Sequence, residues 1–114
     1  MRILNVTRGT ELAREARAAR GLVSRTVGLL GRSSLQPGEG LVLEPCSSVH
    51  TAFMRFPIDV VYVSRDGQVV KVCPDVKPFR LSAALRGARS VLELPTGTIR
   101  STGTLPGDRL AFDE

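Results

Sequence analysis

Tryptophan is absent from this 114-residue chain, tyrosine and histidine occur once each, and cysteine and methionine twice each. Each scarcity removes a class of function. Aromatics make up only 4% of residues, and none is interleaved with the arginines in the way that single-stranded nucleic acid requires for stacking. Nucleic acid is therefore not expected as a partner. Two cysteines, Cys46 and Cys73, are too few for a disulfide framework and are expected as thiols in a reducing compartment. No apolar run approaches a membrane span, and the opening Met-Arg-Ile-Leu-Asn-Val-Thr-Arg-Gly lacks the apolar core of a secretory signal. These absences describe a soluble cytoplasmic protein with no expected membrane partner, and no cofactor is expected either.

Proline is sparse and dispersed, at seven residues, while 42% of the chain is hydrophobic. That balance belongs to a folded protein rather than a disordered one. A chain of this length forms one domain, residues 1–114, and buries a core of its own. Lysine is scarce too: of sixteen basic residues only Lys71 and Lys77 are lysine. The net charge of +5 arises in residues 1–32, where Arg2, Arg8, Arg14, Arg17, Arg20, Arg25 and Arg32 face only Glu11 and Glu15. Clustered arginines focus positive potential and suit an anionic partner. The alternative is a solvated basic edge.

What is present is a succession of short β-prone runs. Arg2–Thr7 reads as a first strand, followed by a tight turn at Gly9, which can take positive φ. Residues 10–17 combine good helix formers with a pattern that builds no wide apolar stripe. The short turn before them favours a returning strand. Leu22–Leu30 carries Leu22, Val23, Val27, Leu29 and Leu30 at helical spacing, with Gly31 as C-cap, and is the expected helix. Leu41–Glu44 is a short strand ended by Pro45. Ile58–Ser64 and Gln68–Cys73 flank Arg65-Asp66-Gly67 as a hairpin. Pro74–Phe79 reads as an extended loop, and Leu81–Ala88 permits a helical turn. Ser90–Leu94 and Thr98–Thr102 flank a turn at Pro95-Thr96-Gly97, and Arg109–Phe112 is a last strand. The expected fold is α+β and mostly antiparallel. It is a small barrel or folded sheet of seven or eight short strands with one helix packed on it.

Four blocks in order carry a resemblance: Arg25-Thr-Val-Gly28-Leu29-Leu30, then Gly40-Leu41 leading to Cys46-Ser-Ser-Val-His50-Thr-Ala-Phe-Met54-Arg55-Phe-Pro-Ile-Asp59-Val-Val, then Val91-Leu-Glu93-Leu-Pro-Thr-Gly97, and Gly107-Asp108. With these the chain resembles the domain-of-unknown-function family 192 over nearly its whole length. The resemblance implies a compact, mostly antiparallel β domain with a helix, and no established activity.

The stretch Cys46–Asp59 concentrates the chemistry. Cys46, His50 and Met54 stand four apart and form a soft-ligand trio suited to copper(I) on a helix. Pro45, Val49, Thr51, Phe53 and Pro57 oppose a helix, and on a straight strand the outer two would lie roughly 13 Å from the middle one. Packing of Cys46 and Met54 in the core is the competing assignment, and a Cys46–His50 nucleophile pair is the enzymatic one. The preferred expectation is a polar cleft lined by His50, Arg55 and Asp59, with Arg25 from the helix, holding a small polar or anionic ligand. Arginine would act there as the fork for a carboxylate or phosphate. Its structural counterpart is a network in which Asp59 receives backbone or Arg25 hydrogen bonds and fixes the loop. A third possibility is a domain without a ligand that serves structure or protein contact, with Phe53, Phe56, Val60 and Tyr62 as an apolar rim. Glu93 reads as a partner for backbone or arginine, and Asp108 as a turn residue.

Overall fold

The computed structural model describes residues 1–19, 34–44, 56–77 and 86–113. In chain order they form β1 (Arg2–Asn5), β2 (Thr10–Ala13), β3 (Glu15–Ala19), β4 (Glu39–Leu43), β5 (Ile58–Val63), β6 (Val69–Val76), β7 (Ser90–Leu94), a short helix α1 (Thr98–Thr102) and β8 (Leu110–Asp113). The expected helix Leu22–Leu30 lies outside the described residues, as do Arg25, Cys46, His50, Met54 and Arg55.

Two sheets fold onto one core. The smaller has the order β2-β1-β8 and the larger β3-β4-β7-β5-β6. Every described pairing is antiparallel except β3 with β4. The sheets meet at two seams. At Arg14 the chain passes from β2 into β3, and the Met1 and Ala16 backbones exchange hydrogen bonds of 2.8 Å. Across the molecule, Gln68 bridges Arg109, flanked by Val69 N–H to Asp108 O and Leu110 N–H to Gly67 O, both 2.8 Å. The result is the folded-sheet form of the expected architecture.

β5 and β7 are buried along their whole length, which is why their sequences are apolar runs rather than alternating ones. Their inner faces present Val61, Val63, Leu92 and Leu94 to Ile3, Leu12, Val42, Ile99 and Leu110. Their outer faces present Ile58, Val60, Tyr62 and Val91 beside Ala19, Leu41 and Leu43.

The hairpin at Arg65-Asp66-Gly67 forms as expected. Gly67 has φ +90°, and a Cβ there would lie 2.9 Å from the Leu110 carbonyl oxygen. Glycine is therefore required both by the turn and by the second sheet's approach. Residues 10–17 are strand, as the turn before them implied, but split by Arg14 into β2 and β3.

Two expectations are corrected. Pro74 and Asp75 do not start a loop, since β6 continues to Val76. This is an edge strand, where a proline removes no ladder bond, and Asp75 takes positive φ at a bulge opposite Asp59. Thr98–Thr102 is helical rather than extended. Its threonines and isoleucine favour strand locally, but Gly97 and Gly103 set left-handed caps at both ends, and Thr102 Oγ1 donates to the Thr98 carbonyl at 2.7 Å.

Candidate functional site

Of the residues expected to form the cleft, Asp59 is described, and its geometry is specific. It lies on β5 with its side chain on the inner face and is 0% exposed. Asp75 N–H donates to its Oδ1 at 2.9 Å, and Ile99 N–H donates to its Oδ2 at 2.9 Å. Both oxygens are engaged by backbone. One bond satisfies the amide freed by the β6 bulge; the other satisfies a first-turn amide of α1, whose N-cap residue Gly97 has no side chain to do so. Asp59 thus joins β5, β6 and α1, which is the network arrangement anticipated as the counterpart of a ligand contact.

A second polar cluster connects the two ends of the described chain. Asp108 Oδ2 accepts from Asn5 Nδ2, Arg8 Nε and Leu105 N–H, each at 3.0 Å. The Leu105–Asp108 turn was legible; the partners a hundred residues away were not. Asn5 is 0% exposed and extends the cluster by donating to Thr104 Oγ1 at 3.2 Å. The Arg8 hydrogen bond leads the causes that bring the Asp108 carboxyl down to about 2, with further help from Asn5, the Leu105 amide and the Arg8 charge, against the opposing cost of burial. This is a structural clasp.

Glu93 is different. Register places it in one row across the outer face: Arg17 on β3, Leu41 on β4, Glu93 on β7, Val60 on β5 and Cys73 on β6. It is 3% exposed, and among the described residues none donates a hydrogen bond to its carboxyl group. Burial alone raises its pKa from 4.5 to about 7. The backbone or arginine partner expected for it is therefore not found among the described residues. The signal for its importance was an acidic residue at the centre of the buried run Ser-Val-Leu-Glu-Leu, since an ionisable group in such a run is costly unless paired.

Two open grooves are formed by described residues. One, of about 320 Å³, lies between Arg14, Gly38 and the Thr96–Ser101 turn. The other, of about 270 Å³, lies between Glu44, the 64–67 turn and Phe112. Neither includes Asp59 or Glu93. Cys73 is a half-buried free thiol. Among the described residues no three His, Cys, Asp or Glu side chains converge as metal ligands, and no helix is long and apolar enough to cross a membrane.

A folded, mostly antiparallel sheet pinned by a buried aspartate, with a buried acid at the centre of its outer face, is the class of structure to be placed among known proteins. The family model of the domain-of-unknown-function family 192, described as uncharacterised, matches residues 4–112. The chain belongs to that family. It is 33% identical over 117 residues to the UPF0127 protein PF1050 of Pyrococcus furiosus, with 97% of each chain covered. Its fold matches a crystal structure of a protein of unknown function from Novosphingobium aromaticivorans at TM-score 0.80 and 19% identity, covering 97% of this chain and 82% of that one. A Sinorhizobium meliloti protein, named as a candidate transcription regulator, matches at TM-score 0.80 and 24% identity, covering 96% and 89%. These two likenesses define the fold.

Proposed function

We propose that the chain is a small-ligand-binding module whose site lies on the outer face of the five-stranded sheet. Glu93 forms its floor, and His50, Arg55 and Arg25 come from the segments linking the strands. The observation that carries this reading is Glu93, a carboxyl group held 3% exposed in an apolar row with no described hydrogen-bond donor. Among the described residues nothing offsets the desolvation of that carboxyl, and a buried polar group left without a partner costs about 1–3 kcal/mol. Buried acids with shifted titration cluster at functional sites.

Connectivity supports the same face. β4 and β5 both pair antiparallel with β7, one on each side, and so run parallel to each other. The link between them therefore returns from the C-terminal end of β4 to the N-terminal end of β5. The inner face is already packed by Ile3, Leu12, Ile99 and Leu110. Asp59 fixes the frame from which that link enters β5 and does not touch the ligand.

Native mass spectrometry of protein purified without a tag tests the proposal, comparing the natural chain with His50→Ala, Arg55→Ala and Glu93→Gln. A small molecule retained by the natural chain and lost from variants that keep the natural circular dichroism spectrum is the expected result. Ligand-free spectra for all four, together with no stabilisation by any member of a metabolite panel, would sink it.

A further inference from the structure

We infer that the groove of about 320 Å³ between Arg14, Gly38 and the Thr96–Ser101 turn is a second binding site, separate from the outer face, for a small carboxylate that also carries a hydroxyl or amino group. The arginine-rich first third of the chain suits an anionic partner, and Arg14 is the arginine placed to meet one. Arg2 is engaged by Glu11 at 2.9 Å and Asp113 at 3.9 Å, and Arg8 by Asp108 at 3.0 Å. Arg14 instead lines the groove, with its backbone and its side chain both set on one glycine. The Arg14 and Glu15 amides donate to the Gly38 carbonyl at 3.0 and 2.9 Å. The guanidinium lies against the Gly38 backbone, where a Cβ would meet its Cζ and Nη1 at 2.9 Å. Gly38 also has φ +89°, so the turn and the close approach both call for glycine. A guanidinium held in this way presents its planar fork to a carboxylate with less ordering left to be done on binding.

The opposite wall selects the rest of the ligand. Thr98 Oγ1 donates to the Pro95 carbonyl at 2.7 Å, and Ser101 Oγ donates to the Thr98 carbonyl at 3.2 Å. Their hydrogens are committed, so towards a ligand both oxygens accept. Glu11 also lines the groove and is an acceptor, its charge balanced by Arg2. The α1 amides of Thr98 and Ile99 are taken by the Pro95 carbonyl and by Asp59, and they contribute nothing. A phosphate would set its oxygens and a second negative charge against these acceptors. A carboxylate brings one charge for Arg14, and a neighbouring hydroxyl or amino group supplies the donor that Thr98, Ser101 and Glu11 accept. The groove volume lies at the lower end of the range for ligand pockets and suits a molecule of a few carbon atoms.

Lactate and alanine are the probes, compared with propionate, which lacks their donor, and with inorganic phosphate. Each is titrated at about pH 7, where the carboxylates are ionised, into isotope-labelled protein and followed by NMR at the Gly38, Gly97 and Thr98 amides and the Arg14 Nε–H. The expected result is saturable shifts at those groups, with the better of lactate and alanine binding about fivefold tighter than propionate and phosphate weakest. Arg14→Gln, checked for an unchanged circular dichroism spectrum, should weaken binding about tenfold, and Arg14→Lys should recover part of the loss. The comparison among probes needs no variant, and Ser101→Ala, which removes one acceptor, should narrow the gap to propionate. Phosphate binding tighter than every carboxylate, equal binding of the three carboxylates, full binding by Arg14→Gln or no shift with any probe would each overturn the inference. Shifts confined to Val60, Leu92 and Glu93 would overturn it as well and assign the probe to the outer face, so the two sites stand or fall separately.

Discussion

The Asp59 carboxylate accepts the Ile99 amide at 2.9 Å, so the first turn of α1 is capped from a neighbouring strand forty residues away rather than from its own sequence. Asp59→Ala would leave the Ile99 and Asp75 amides buried without acceptors. It is expected to cost about 2–4 kcal/mol in chemical denaturation, two unsatisfied donors' worth. Asp59→Asn keeps one acceptor oxygen and should cost clearly less. Equal stability of Asp59→Ala and the natural chain would remove the clamp assignment.

Glu93 predicts a loss of stability towards neutral pH. Its carboxyl is raised from 4.5 to about 7 by burial, so the folded state binds a proton that the unfolded chain gives up. The contribution is fully present below about pH 4.5 and is lost as the pH rises through about 7. Glu93→Gln removes this dependence. At about pH 8 it should exceed the natural chain by up to about 3 kcal/mol, measured by urea melts across the range, and a parallel pair of pH profiles would count against it.

Asp108 acts in the opposite direction. Arg8, Asn5 and the Leu105 amide hold its carboxyl down from 3.8 to about 2. Its contribution is present above about pH 4 and disappears as the pH falls through about 2. Asp108→Asn should move the acid-unfolding midpoint upward, and Arg8→Gln should move it part of the way. Unchanged acid midpoints in both variants would show that the clasp adds nothing.

Gly67→Ala tests the seam between the sheets. The position combines φ +90° with a would-be Cβ 2.9 Å from the Leu110 carbonyl, so the substitution is expected to cost about 1–3 kcal/mol. Thermal melts would check this, with Gly87→Ala, which shares φ +90° but meets nothing within 4 Å, as the control for backbone strain alone.

The fold was legible where local preference and burial agree. Ile58–Val63 and Ser90–Leu94 are β-prone runs that the structure buries on both faces, and the Arg65-Asp66-Gly67 turn announced the hairpin partner of the first. It was illegible where distant residues overrule local preference. Thr98–Thr102 becomes helical with caps from Gly97 and Gly103 and a hydrogen bond from Ile99 to Asp59. Asn5 and Arg8 meet Asp108 only through the packing of β1 against β8. At the candidate site the sequence drew attention to Asp59, whose alternative role as a backbone clamp is the one its geometry matches. It underweighted Glu93, because isolated register cannot tell whether an acid in an apolar run finds a partner.

The pairing of β1 with β8 also constrains the order of events during synthesis. Arg2 aligns with Asp113 and Asn5 with Leu110, so the central strand of the three-stranded sheet gains its second neighbour only after all the strands between them have left the ribosome. The β1–β2 hairpin can form early, but Ile3 and Asn5 then wait for the last strand with one flank open. Such long-range closure slows folding. It makes the nascent N-terminal hairpin, rather than the buried β5–β7 pair, the segment most in need of protection from premature association.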